Sequence, residues 1–219
     1  MKALWCGLLL AAMLCKTVAV TADSLIPSKA VLERAMTEYG EGAAEVLREW
    51  QNVLTQTRQN PDLTERQKLE IINDFFNRVP WVSDREHWGA KDYWATPVET
   101  LASNGGDCED FSIGKYVSLR AVGIAENKLR ITYVKAINQA HMVLTYYASP
   151  DAEPLILDNI NRRILPASSR PDLVPFYSFN ADRLWLAKAR GTDVEVGAPS
   201  KLPAWVAVSQ RMSMSLAQN

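Results

Sequence analysis

From Ser28 to about Arg58, apolar residues such as Val31, Leu32, Ala35, Val46, Leu47, Trp50 and Leu54 recur at three- and four-residue intervals, the spacing that lines one face of a helix. Gly40 and Gly42 are the places where that helix can break. Thr64 followed by Gln67 is a capping box, and it announces a second helix carrying Leu69, Ile72, Phe75, Phe76 and Val79 until Pro80 ends it. The stretch from Trp81 to Trp94 is aromatic and charged, has no period and holds His87; it reads as an ordered loop near a site. Thr96-Pro97-Val98-Glu99 then supplies an N-cap, a proline at the first helical position and a glutamate at the third, so a short helix runs to about Ser103. Gly105 and Gly106 permit tight or left-handed backbone before Asp107, a preferred N-cap residue. A further helix follows with Phe111, Ile113, Val117, Leu119 and Ala121, and Gly123 stops it.

Beyond Gly123 the period changes from helical to two. Leu129, Ile131 and Tyr133 alternate, then Met142, Leu144 and Tyr146, then Leu155 and Leu157, with turn-like stretches between them, which predicts an antiparallel meander. Phe176 to Phe179 and Arg183 to Ala187 add candidate strands, while Pro154, Pro166, Pro171 and Pro175 mark boundaries or edges. After Gly191 a Gly-Ala-Pro-Ser linker precedes Trp205, Val206, Val208, Met212 and Met214, either a packed amphipathic helix or a frayed tail. The pattern predicts one α+β domain over residues 23–190, with N-terminal helices and an antiparallel sheet, followed by a C-terminal tail or helix over 191–219.

The first residues change how the cysteines count. Lys2 precedes an apolar run from Ala3 to Leu14, and Val20-Thr21-Ala22 has the small residues of a signal-peptidase site, so residues 1–22 read as a cleaved signal peptide. Lys16 interrupts the run short of the roughly 20 residues a membrane span needs, so no membrane insertion is expected after cleavage. Leu14 before Cys15 and Trp5 before Cys6 are poor contexts for lipid attachment. Cys6 and Cys15 leave with the signal, and Cys108 becomes the only thiol of an exported protein. An unpaired cysteine in an oxidising compartment points to a reactive role. The 24 basic residues against 25 acidic ones leave no strongly basic run, which argues against a nucleic-acid partner.

Cys108 at a helix start meets unpaired N–H groups and the positive dipole end, which favour thiolate; the alternative is a buried small hydrophobe. His141 shares a strand face with Val143 and Thr145, and Asp158 is out of phase with Leu155 and Leu157. If these strands pair as a hairpin, imidazole and carboxylate approach on one face. A helix starting at Cys108 and packed across that face would complete nucleophile, base and orienting acid in the order Cys, His, Asp. The acids Asp107, Glu109 and Asp110 oppose thiolate formation by like-charge repulsion, which a cation would relieve; the other reading is that they complement the helix dipole.

The blocks Asp92-Tyr93-Trp94-Ala95-Thr96-Pro97, Gly106-Asp107-Cys108-Glu109-Asp110, Lys115-Tyr116, Leu119-Arg120-Ala121-Val122-Gly123, His141-Met142-Val143-Leu144 and Leu157-Asp158-Asn159 resemble the bacterial transglutaminase-like cysteine proteinases. The likeness runs from the first helices to about Trp185. It implies a papain-like, transglutaminase-like fold and peptide-bond hydrolysis in the periplasm by Cys108, His141 and Asp158. It also implies calcium dependence through Asp107 and Glu109, with Asp110 as a further candidate that can instead cap or salt-bridge. The implied substrate is the N-terminal region of a large surface adhesin, whose cleavage releases cells from a biofilm. The implied inhibitor is an inner-membrane cyclic di-GMP receptor. Two rivals remain at this level: an acyltransferase or transglutaminase with the same triad, and a non-enzymatic binding module on the same fold.

Overall fold

Gly40, at φ 93°, divides the first helical stretch into α1 (Lys29–Tyr39) and α2 (Glu41–Gln59). A residue with a side chain would be strained there, which is why the break falls at a glycine. The computed structural model describes residues 22–137, 139–187 and 193–216, and the expected signal peptide lies outside these apart from Ala22. Helix α3 (Glu65–Phe76) opens on the expected capping box: the Thr64 N–H donates to Gln67 Oε1 at 2.9 Å and the Gln67 N–H to Thr64 Oγ1 at 3.3 Å. It ends at Phe76 and not at Val79, because the Arg78 and Val79 N–H groups turn back to Phe75 and Phe76 carbonyls in a tightened last turn before Pro80. The stretch read as a loop contains one helical turn, α4 (Asp84–His87). It is followed by α5 (Pro97–Ala102) and α6 (Cys108–Ala121), which stops before Gly123 at φ 91°.

The strands β1 (Leu129–Ala136), β2 (Gln139–Tyr146), β3 (Leu155–Leu157), β4 (Leu165–Pro166), β5 (Leu173–Phe179), β6 (Leu184–Leu186) and β7 (Val194–Gly197) form one antiparallel sheet. Its order is β4-β3-β2-β1-β5-β6-β7. The first four make the expected meander, but β5 does not extend it at β4. The chain crosses instead to the free edge of β1, pairing Ile131 with Phe179 and Lys135 with Val174. Pro175 falls beside the register irregularity of β5, in the part that β6 does not reach, where its missing donor breaks no ladder.

The helices cover one face of this sheet. Leu129, Ile131, Met142, Leu144, Tyr146 and Phe179 join Trp50, Phe76, Ile113, Tyr116 and Leu119 in a single core, while Val134, Val143, Ile156 and Leu173 form a small cluster on the opposite face. Helix α6 is buried along most of its length between α3, α5 and β2, and its Ser118 hydroxyl accepts from the Trp50 indole at 2.9 Å. It therefore packs on the Met142 face, not on the face of His141 and Val143 that was expected; the larger apolar area lies on the Met142 side. The segment after residue 190 contributes β7 and α7 (Pro203–Leu216), whose Trp205 packs edge-on against Phe179 at 5.1 Å.

Helices α3 and α6 touch at Gly114, where a Cβ would sit 2.2 Å from Cε1 of the buried Phe76 ring. Overpacking of this kind costs about 1–3 kcal/mol, against the roughly 1 kcal/mol that alanine gains over glycine in a helix. Gly114→Ala should lower the midpoint of chemical denaturation. A midpoint at or above that of the wild type would show that α3 and α6 can separate freely at this contact.

Candidate active site

The turn that delivers the chain to Cys108 is held by a neighbouring segment. Trp81 bridges Gly106, the Val82 N–H donates to the Gly106 carbonyl at 2.9 Å, and the Gly106 N–H reaches Pro80 O at 3.4 Å. Gly105 and Gly106 are not left-handed; Asn104, at φ 55°, takes that conformation. The glycines are there for lack of room, since a Cβ on Gly105 would lie 3.0 Å from His87 Cε1 and one on Gly106 would lie 2.7 Å from Asp110 Oδ2. His87 bonds Ser103 Oγ at 2.7 Å behind this turn and is not among the residues lining the cleft described next.

Cys108 begins α6 and lines an open cleft of about 1180 Å³ together with His141, Met142, Trp81, Trp94 and Asn159. His141 and Asp158 meet as the strand phases predicted: His141 Nε2 lies 2.8 Å from Asp158 Oδ1. The register pairs Leu144 with Leu157, so Asp158 falls opposite Val143 and diagonal to His141 on the same face. Pairing with β3 covers only Leu144–Tyr146, so β2 is open alongside His141, and the start of α6 comes to that open edge. A helix on the Met142 face can in this way open its thiol into the cleft that His141 lines from the other face.

Burial works against ionisation of Asp158, but hydrogen bonds from His141, the Ile160 N–H at 3.0 Å and Arg170 Nη2 at 2.8 Å outweigh it and hold the carboxyl well below the usual range. An ionised carboxylate only accepts, so the imidazole proton sits on Nε2 and Nδ1 keeps its lone pair. Arg170, itself buried, also grips Asp172 through Nε and Nη2. Lys115, buried in α6, lies within reach of the Asp158 charge; burial pushes its ammonium down to about 7. Neither cation was assigned a role in the sequence: Arg170 stands in an aperiodic Ser-Ser-Arg-Pro-Asp stretch, and Lys115 occupies an interior helix position.

The surroundings of the thiol run against the expectation that the helix start alone favours thiolate. Burial, the Glu109 charge and the hydrogen bond from Cys108 Sγ to Glu109 Oε2 at 3.0 Å push the thiol far up, opposed by the Met142 N–H. Glu109 belongs to a larger group. Asp84, Asp92 and Glu109 offer oxygens within 4.8 Å of one another, and so do Asp84, Asp107 and Asp110. Burial, then the hydrogen bond and charge of Glu109, raise Asp107 to about 9; burial, then the Asp107 charge, raise Asp110 to about 8 despite two backbone donors. Those donors are the Ala95 N–H at 2.7 Å and the Asp107 N–H at 3.2 Å, the second a capping contact at the head of α6. Among the described residues none of these five acids is in an ion pair, and the buried oxygens Asp84 Oδ1 and Asp107 Oδ1 have no hydrogen-bond partner. Converging, unpaired, oxygen-only ligands fit a hard divalent cation. Asp84 and Asp92 are the members that sequence reasoning missed, because the fold of the Trp81–Trp94 segment, not any spacing, brings them to Cys108.

The model of the bacterial transglutaminase-like cysteine proteinases matches residues 41–180, a span that includes Cys108, His141 and Asp158. A comparison with curated protein sequences returns no match. Among solved structures, the chain is similar to Legionella pneumophila LapG at 41% identity and TM-score 0.75, covering 87% of this chain and 98% of that one. It is similar to the same protein described as EGTA-treated at 40% identity and TM-score 0.74, over 88% and 98% of the two chains. The calcium-bound form gives 40% identity and TM-score 0.71, over 88% and 99%.

The raised carboxyls set a pH dependence whose sign is fixed. Asp107 and Asp110 stay protonated in the fold to about 9 and about 8 but ionise near 4 when unfolded, so their contribution to stability is full below pH 4 and is lost progressively as pH rises through the folded values. Asp158, depressed, loses its contribution only below about pH 4, and Lys115 begins to titrate near 7. In excess chelator the thermal midpoint should therefore fall between about pH 5 and about pH 7. The fall should shrink in Asp107→Asn; a level or rising midpoint in the wild type would mean that these acids are already ionised in the fold.

Proposed function

The chain belongs to the bacterial transglutaminase-like cysteine proteinases, and from that premise we propose that it is a calcium-dependent endopeptidase using Cys108, His141 and Asp158. The observation that carries the reading is the His141–Asp158 pair at the cleft that Cys108 lines, with Nδ1 of the imidazole uncommitted. His141 Nδ1 takes the proton from Cys108 Sγ, and the sulfur attacks the scissile carbonyl carbon. The imidazolium returns the proton to the leaving amine as the C–N bond breaks, leaving a thioester on Cys108. Water deprotonated by His141 then hydrolyses the thioester and restores the thiol. Asp158 stays ionised throughout, fixed by Arg170 and the Ile160 N–H, and holds the ring in one tautomer.

Asp84, Asp92, Asp107, Glu109 and Asp110 would hold the calcium. Support comes from the buried oxygens Asp84 Oδ1 and Asp107 Oδ1, which have no hydrogen-bond partner, and from similarity to a protein whose structures are described as calcium-bound and EGTA-treated. The ion would supply charge: with the acids neutralised, Glu109 and Asp107 would no longer oppose the Cys108 thiolate. The family resemblance supports the finer reading that the substrate is the N-terminal region of a large surface adhesin, cut to release cells from a biofilm, and that an inner-membrane cyclic di-GMP receptor is the inhibitor. The apolar leader and Val20-Thr21-Ala22 support a periplasmic protein, and among the described residues no helix is long and apolar enough to cross a membrane.

With calcium present, the purified protein should shorten a large secreted protein from the same cells, and excess EGTA should abolish this. Calcium should restore it and magnesium should not, because magnesium demands a tighter octahedral shell and sheds water reluctantly. Cys108→Ala, His141→Ala and Asp158→Ala should each remove most activity, and their effects should not add. Near-normal cleavage by Cys108→Ala would sink the mechanism, and transfer of the acyl group to a labelled amine in preference to water would make the protein an acyltransferase.

A further inference from the structure

We propose that Arg211, on the C-terminal helix α7, is a positioning residue that clamps the Tyr93–Ala95 segment against the acid cluster and so sets its affinity for a divalent cation. The proposal rests on the reading that these acids hold a cation. The Tyr93–Ala95 segment is the backbone on which the cluster hangs. The Tyr93 N–H donates to Asp84 Oδ2 at 2.5 Å, the Ala95 N–H donates to Asp110 Oδ1 at 2.7 Å, and the Trp94 indole donates to Asp92 Oδ1 at 3.0 Å. Three of the five acids are thus aimed by three consecutive residues. Those residues have no regular secondary structure to hold them, so their position depends on what grips them from behind.

Arg211 supplies that grip. Its Nη2 donates to the Trp94 carbonyl, its Nε lies 3.3 Å from Glu99 Oε1, and its guanidinium carbon stands 4.5 Å over the Tyr93 ring. The Tyr93 hydroxyl closes the arrangement by donating to the same Glu99 oxygen at 3.1 Å. One planar group therefore meets the backbone, the ring and the carboxylate at once, a geometry that lysine cannot reproduce. The helix that carries it lies beyond residues 41–180, so this clamp stands outside the span matched by the family model. Arg211 touches none of the five acids; it acts on them through the backbone they bind, as outer partners do for metal ligands elsewhere.

Calorimetric titration of the purified protein with calcium tests this without any substrate. Outer partners of metal ligands typically contribute 10–100-fold in affinity, so Arg211→Ala should weaken calcium binding by about 10-fold or more. Arg211→Lys should recover only part of the loss. Val208→Ala, a truncation of a buried residue on the same helix that leaves Arg211 in place, is the control for simple loosening of α7. It should lower the thermal midpoint in chelator while leaving calcium affinity unchanged. Wild-type affinity in Arg211→Ala, full recovery by lysine, or an equal loss of affinity in Val208→Ala would each overturn the clamp. Absence of calcium binding by the wild type would overturn the reading of the acid cluster, and the clamp with it.

Discussion

Carboxyl groups gathered at one end of a buried helix, most of them withdrawn from water, are the constraint that organises this molecule. Asp84, Asp92, Asp107, Glu109 and Asp110 converge around the start of α6, and a carboxylate removed from water without a partner is costly enough that it protonates or takes a cation. Burial, joined by the Glu109 and Asp107 carboxyls, pushes up the Cys108 thiol. Neutralising Glu109 and Asp107 would remove their share of that opposition and leave the share due to burial.

Rigidity is concentrated accordingly. Helix α6 is wedged between α3, α5 and β2, with Gly114 allowing the approach of Phe76 and Ser118 receiving the Trp50 indole. On the other side of the cleft, Asp158 is fixed by three donors, one of them a buried arginine. Cys108 and His141 therefore belong to two separately stiffened parts, a helix and a sheet, that meet along an open strand edge. The acid cluster sits at the boundary, held by an aperiodic segment whose supports include a residue from the last helix.

Much of this was legible in the chain. The capping boxes at Thr64 and Thr96 are local events, decided by a hydroxyl and a side chain three residues on, and both formed as read. Strand period, together with the hairpin pairing it allowed for, put His141 on β2 and Asp158 just past β3 on a common face, because side chains alternate along an extended chain. Local pattern also set Cys108 at the head of a helix that Gly123 stops. It was less informative about glycines, since Gly105 and Gly106 answer to neighbours distant in sequence and not to their own φ.

What only the tertiary structure decided are the relations between segments. Which face of the sheet α6 would cover, the crossing of β5 to the far edge of β1, and the approach of Asp84 and Asp92 to Cys108 carry no period and no fixed spacing. Arg170 behind Asp158 and Arg211 behind Trp94 are likewise contacts between segments far apart in the chain or lacking regular structure. The division has one physical cause. Backbone hydrogen bonding and side-chain alternation act over a few residues and leave a repeating trace in the sequence, whereas charge convergence and packing join positions whose separation along the chain is arbitrary.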